Sequence, residues 1–363
     1  MIPKRDLYTL SITFLCSIFA VAALYFISEE GNQSKHPFKR NIDSQAIAKN
    51  GEYTLDNIGY YFAGSHGNTL YLGNPSTPLY ITEIDTLLKK ASKRRIILDD
   101  YKLTFRYVEF RICYPYFFLF DGYVPVVYRG RLDDLNATKI IEGKIYFSDA
   151  VVISPERILI RGQKPPNGEH ILGLLTIGAS SQVQYLDGLL QKQRDGIFDT
   201  DGDMAYDPVS GSFIYSHFYR NQIIIADSSL QRVKRSHTID TVTTADLKLA
   251  TMKTSGNRRM GAPPQFVNRR ITASGGLLFV DSHLRARNDK ARDLRRASSI
   301  DMYSLKDGSY ISSFYLTHSG NLNLKEFAAT PTALYTISGK ALEKFSFGKR
   351  IRKNMNKQQY TGR

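Results

Sequence analysis

A chain of 363 residues, 42% of them hydrophobic, is long enough to bury one large core or two ordinary ones, and this excludes a wholly disordered protein. Its 49 Lys and Arg against 34 Asp and Glu leave a formal charge of +15. Such a field favours anionic partners, whether lipid headgroups, polyanionic glycans or nucleic acid, without specifying a fold. The only cysteines, Cys16 and Cys113, exclude a disulfide framework and a thiolate metal site, because Cys16 falls inside an apolar N-terminal run.

That run, Leu7 to Ser28, is about 22 residues long and carries no charge, enough for a helix to cross the hydrocarbon core. Lys4 and Arg5 precede it and Glu29 and Glu30 follow, which orients the N-terminus to the cytoplasm and sends the body to the periplasmic or extracellular side. A cleaved signal peptide competes with this reading, since Ala20-Val21-Ala22 has the small-x-small form of a cleavage site. Apolar residues continue to Ile27, so residues 1–28 read as an uncleaved signal-anchor helix. Residues 29–50 are polar and basic. They read as a solvated tether that includes Lys35, Lys39 and Arg40, with a short helical piece near Ser44 to Lys49.

From Tyr53 onward, short apolar runs alternate with turn residues, and 23 Tyr and 20 Phe suit half-buried pleated surfaces. Six units of two or more strands begin near Thr69, Phe117, Arg157, Ser212, Leu277 and Ala333. The fourth completes to four strands: "DMAYDP", "SFIYSHF", "QIIIADS" and "VKRSHTID". A four-stranded sheet buries both faces only by packing radially against its neighbours. The expectation is therefore an all-β, six-bladed β-propeller over residues 51–348, behind a single N-terminal transmembrane helix. The sixth unit stops after a third strand near Phe347, and Gly51 to Asn57 is expected to supply its outer strand and close the ring. A β-sandwich, or two stacked β domains, is the alternative. Residues 349–363 form a basic C-terminal tail.

The run "MAYDPVSGSFIYSHFYRNQIIIADSSLQ" with "TID", "APPQFVN" and "SIDMYSLKDGSYISSFYL" resembles uncharacterised membrane-anchored bacterial proteins of the TolB-like six-bladed propeller class. The resemblance covers Asp195 to Phe347 and reaches the first half of the body only by pattern. It implies the shape and no activity.

Several stretches are candidates for function. In "FDTDGDMAYDP", Asp199, Asp201, Asp203 and Asp207 stand at alternating positions, as in calcium loops, whose hard cation wants six to eight oxygens. Met204 occupies the position where such loops carry Gly, and "DPVSG" reads as a turn that removes Asp207 from the set. Asp199, Asp201 and Asp203 are left as candidate calcium ligands; no other cofactor is expected. A rival reading is that these acids form a polar inter-blade loop. In "YSHFYRNQ", His217, Tyr219, Arg220 and Asn221 offer donors and acceptors for a rim that meets a ligand, or else an ordinary turn. With Asp203 they are candidate ligand-binding residues. Arg258 and Arg259, in the long Ser255–Arg270 connection, join them, and with Arg269 and Arg270 they offer an anion-binding face beside the axis. The insertion His283–Ser299 carries six basic residues, Arg285, Arg287, Lys290, Arg292, Arg295 and Arg296, against Asp289 and Asp293, and has room for a short surface helix.

No catalytic residue is identifiable. The chain has no G-x-S-x-G elbow, no H-E-x-x-H and no glycine-rich phosphate loop. The expected function is an exported, membrane-tethered module that binds or scaffolds a protein or anionic ligand at one propeller face, with no nucleic acid. The alternative is a propeller hydrolase or lyase with a divalent cation near the axis.

Overall fold

The computed structural model describes residues 4–31, 35–102, 104–178, 181–251, 258–294, 296–317 and 324–360. Ser255 to Asn257, Arg295 and the last three residues of the basic tail lie outside the described residues, as does the Arg258 side chain.

In chain order, α1 (Lys4–Gly31) is followed by β1 (Ile47–Thr54). The first blade is β2 (Tyr61–His66), β3 (Thr69–Gly73), β4 (Tyr80–Asp85) and β5 (Ala91–Arg95). A two-residue strand, β6 (Ile97–Leu98), pairs in parallel with the outer strand of the second blade. That blade is β7 (Val108–Cys113), β8 (Tyr116–Asp121), β9 (Val126–Arg131) and β10 (Asn136–Glu142). The third is β11 (Phe147–Ser154), β12 (Arg157–Lys164), β13 (Glu169–Thr176) and β14 (Gln182–Tyr185). The fourth is β15 (Gly202–Asp207), β16 (Ser212–His217), β17 (Gln222–Asp227) and β18 (Val233–His237). A small hairpin, β19 (Leu249–Thr251) and β20 (Arg258–Met260), precedes the fifth blade. The fifth is β21 (Asn268–Ser274), β22 (Leu277–Ser282), β23 (Ala297–Ser304) and β24 (Tyr310–Thr317), with the short helix α2 (Ala291–Leu294) in its insertion.

The sixth blade takes β25 (Glu326–Ala329), β26 (Ala333–Ser338) and β27 (Ala341–Phe347), and its outer strand is β1. The two ends of the body thus close the ring. The pairing runs from Ile47 opposite Phe347 to Thr54 opposite Ala341, so the closing strand starts earlier than Gly51 and ends at Thr54. No helix forms near Ser44 to Lys49, because the open edge of β27 offers that backbone a full ladder of partners. At the junction, the Gly348 N–H donates to the Ala46 carbonyl at 2.7 Å, and a Cβ on Gly348 would overlap the Gln45 carbonyl oxygen. Gly348→Ala is therefore expected to cost about 1–3 kcal/mol, as overpacked sites do, and to speed proteolysis between residues 35 and 54. Urea unfolding and a digestion time course measure the two effects.

The six innermost strands β2, β7, β11, β15, β21 and β25 pack in a cycle, each against the next. The core lies between successive blades rather than at the axis. One such layer joins Phe118, Phe120, Val127, Ile158, Ile160 and Leu175 of the second and third blades. Aspartates at strand ends tie the turns. Asp207, fully buried, accepts from Val209 and Ser210 in its own turn and from Gly275 and Gly276 in the next blade, which confirms it as a turn residue.

Two basic stretches differ from expectation. Arg40 is not solvated. It is 4% exposed and lies in blade five, pairing with Asp289 and with Asp301 at 2.8 Å and donating to Ser282 and the Leu284 carbonyl. Phe38 packs beside it against Val267, Leu284 and Ala286, so residues 36–43 are part of the folded body. The basic tail is helical through α3 (Lys349–Tyr360), and Ile351 and Met355 are buried against blades five and six. An apolar pair spaced i, i+4 was the signal for docking, obscured by the surrounding Lys and Arg.

Large apolar side chains of α1, among them Leu10, Phe14, Phe19 and Val21, are exposed. Among the described residues, no helix is long and apolar enough to cross a membrane.

Candidate functional site: the axial channel

Inner strands of a propeller all run the same way, so equivalent positions form layers around the axis. Near the start of five of these strands stands a charged residue facing the axis: Glu109 on β7, Asp149 on β11, Asp203 on β15, Arg270 on β21 and Glu326 on β25. Period-two alternation brings Arg111, Val151, Ala205, Thr272 and Ala328 into the layer below. Together they line an axial cavity of about 800 Å³. The polar end is the end at which the inner strands begin. Toward the other end the lining is mainly small or apolar, with Ile153, Ala273, Ala329 and Pro331 beside the turn-bound Asp207, and the His66 and Tyr114 rings stack 3.6 Å apart.

Neighbouring inner strands are stitched by side chains of this ring. The Ile271 N–H donates to Asp203 Oδ2 at 2.8 Å, the Ala329 N–H to Thr272 Oγ1 at 3.1 Å, and the Phe110 N–H to the Tyr61 hydroxyl at 2.9 Å. Arg111 pairs with Glu109 at 2.7 Å and lies over the Tyr61 ring; Arg270 pairs with Glu326 at 3.2 Å. Arg161, also in the cavity lining, is held by Asp201 at 2.7 Å, by the Gly202 carbonyl and by Ser148 Oγ.

The electrostatics of this ring are strained. Burial pushes the Asp149 carboxyl up to about 7; Arg161 opposes the shift, while Asp203 and Glu109 add to it. Burial also raises Asp203 against the Ile271 N–H and Arg270, and raises Glu326 against Arg270 and Arg111. Lys325, beside Glu326, is lowered by burial. Burial disfavours charge at Arg111, but Glu109 and Tyr61 outweigh it and keep the guanidinium charged. Shifts of this kind come from desolvation and from like charges held close, and they concentrate where proteins bind or react.

The residues singled out from the sequence go to different places. Of the candidate calcium ligands, Asp199 is fully buried and its carboxylate accepts the N–H groups of Gln193, Arg194 and Gly196. Asp201 pairs with Arg161, and Asp203 reaches the channel. The three acids thus have three separate partners. Among the described residues, no group of three or more His, Cys, Asp or Glu is gathered as a metal site.

His217, Tyr219, Arg220 and Asn221 are all buried, so "YSHFYRNQ" does not form an open rim. Arg220 donates to the carbonyls of Asp199 and Gln191 and to His217 Nε2 at 3.0 Å. Because a guanidinium only donates, His217 is neutral with its proton on Nδ1, and burial holds its pKa well below the ordinary value. Tyr219 packs with Ala245, Leu247 and Phe266, and Asn221 donates to the Asp240 carbonyl. This turn lies under the long connections before blades four and five. Arg259 is exposed on β20, away from the channel lining, whereas Arg270 from the same Arg-rich connection faces the axis.

No protein-family description matches the chain, and no curated protein matches it. Among solved structures it is similar to a Bacteroides fragilis protein described as exported, with 9% identity, 87% of this chain and 100% of that one covered, and a TM-score of 0.55. The chain also aligns with a structure from the nidogen/laminin complex at 10% identity and a TM-score of 0.43, covering 72% of this chain and 80% of that one. The fold is a six-bladed β-propeller. At these identities the likeness extends to the propeller's shape and no further.

The channel ring was missed from the sequence except for Asp203 and Arg270. Its signal is a charge within the first three positions of five inner strands, in "VEFR", "FSDA", "GDMA", "NRRI" and "EFAA", read down the six blades rather than along the chain.

Proposed function

We propose that this chain is a membrane-tethered binding module of the TolB-like class that holds a small polar ligand, bearing an anionic group, in its axial channel. The observation that carries the reading is the charged ring in the channel. Glu109, Arg111, Asp149, Asp203, Arg270 and Glu326 are half-buried around one cavity, and desolvating Asp149, Asp203 and Glu326 there costs stability that apolar side chains would not, a cost that a ligand-binding role explains. Tethering rests on the sequence, in which the uncharged run Leu7 to Ser28 between Lys4, Arg5 and Glu29, Glu30 continues past Ala23, the last α1 side chain described, and on the exposed apolar side chains of α1 before it. In this topology the propeller lies on the periplasmic or extracellular side.

Ala205→Phe places a ring in the second layer of the channel without touching a charge. In a thermal-shift screen of small polar metabolites, the expected result is at least one compound that raises the midpoint of the wild type and leaves Ala205→Phe unmoved. Equal stabilisation of both proteins would place binding elsewhere.

A further inference from the structure

The ring has two unlike parts. Arg111 pairs with Glu109 through Nη2 and donates Nη1 to the Phe110 carbonyl at 3.2 Å, and Arg270 pairs with Glu326 through Nη1; a guanidinium carries five N–H donors, so both keep donors beyond these bonds in the lining of the cavity. Asp149 and Asp203 stand on adjacent inner strands, and among the described residues neither has an ion-pair partner. Among the described residues, Asp149 accepts from its own neighbour, the Ala150 N–H, alone, and Asp203 accepts from the Met204 and Ile271 N–H groups. Arg161, which lines the same cavity and whose charge reaches both carboxylates, is committed to Asp201, the Gly202 carbonyl, Ser148 and Tyr215. The cavity therefore presents two unpaired carboxylates on one side and, on both flanks, guanidinium groups with unused donors.

We propose that the ring seats a zwitterion, with an ammonium group between Asp149 and Asp203 and an oxyanion, carboxylate or phosphate, against Arg270 and Arg111. The assignment rests on the channel being the binding site. An ammonium suits the pair better than a bare divalent ion, which needs six to eight oxygens where this neighbourhood supplies guanidinium groups and small apolar side chains. Three N–H donors are matched by two carboxylates, and planar guanidinium forks match carboxylate or phosphate edges. Asp149 is raised mainly by burial and is faced by Arg161 of β12, Asp203 of β15 and Glu109 and Arg111 of β7, so a bound ammonium offsets the desolvation and the repulsion from Asp203 and Glu109. Binding should accordingly strengthen as pH rises through about 7.

Isothermal titration of the full chain in detergent, with O-phosphoethanolamine as zwitterion and ethanolamine and inorganic phosphate as its halves, tests the assignment. The expected result at pH 8 is affinity for the zwitterion at least about tenfold above either half, which two charged contacts readily supply. The affinity should fall by a similar factor at pH 5.5 and in Asp149→Asn, whose melting midpoint should not drop. Vesicles containing phosphatidylethanolamine distinguish the source: Asp149-dependent binding of vesicles alone supports the assignment with a lipid-borne ligand. Equal affinity for zwitterion and half, or undiminished binding by Asp149→Asn, overturns it. If no zwitterion binds while compounds blocked by Ala205→Phe still do, the charge assignment falls and channel binding stands. If neither binds, both fall.

Discussion

Arg40→Met is expected to lower the unfolding free energy by about 3–5 kcal/mol, the range found when one partner of a buried ion pair is removed. Arg40, Asp289 and Asp301 have essentially no side-chain exposure, so Met leaves two carboxylates inside the protein with their cation gone. Tyr315 and Ser313 still donate to them, at 2.9 Å and 2.5 Å, but neither carries charge. Residues 36–43 should also loosen, since the Arg40 guanidinium joins them to Ser282, Leu284, Asp289 and Asp301 of blade five, leaving the backbone bonds of residue 40 to Asn288 in place. Urea unfolding measures the first effect and limited proteolysis the second. The triple variant Arg40→Met, Asp289→Asn, Asp301→Asn should recover most of the loss, because the cost lies in uncompensated charge rather than in volume. A loss below about 1 kcal/mol, the level of an exposed pair, would contradict the buried latch.

Asp149→Asn is expected to stabilise the protein at pH 8 and to leave it nearly unchanged at pH 4. A carboxyl lifted from its ordinary 3.8 to about 7 in the folded state binds its proton more tightly there than in the unfolded chain. The contribution of Asp149 to stability is thus highest below pH 4, falls as pH rises toward 7, and is constant above. A shift of about three units corresponds to about 4 kcal/mol at most, and water in the channel screens it to roughly 2 kcal/mol. Asparagine stays neutral throughout and keeps an oxygen for the Ala150 N–H, so the gain should appear only in the upper part of the range. Thermal or urea unfolding at pH 4, 6 and 8 traces the window.

Blade count and ring closure were legible because they are written in local patterns: alternating strands, turn residues, and an incomplete last unit at Phe347. The site was less so. Asp199, His217 and Arg220 cluster along the chain, but connections before blades four and five cover them: Asp199 and Arg220 serve N–H groups and carbonyls there, and His217 meets Arg220. Glu109, Asp149 and Glu326 are far apart in sequence and only the circular order of blades joins them. Arg40 was misread for a related reason. A polar, basic stretch looks solvated unless its acidic partners, here more than 240 residues away, are known.

The central claim is that the ring of charge serves a ligand at the expense of the fold, a trade commonly met at binding sites. Its most direct test is to measure Asp149→Asn at pH 8 for both unfolding free energy and binding of the compound that stabilises the wild type through the channel. The account predicts a protein that is more stable and binds at least about tenfold more weakly, a loss of about 1.4 kcal/mol in binding energy. A variant that is less stable, or that binds as well as the wild type, would contradict it.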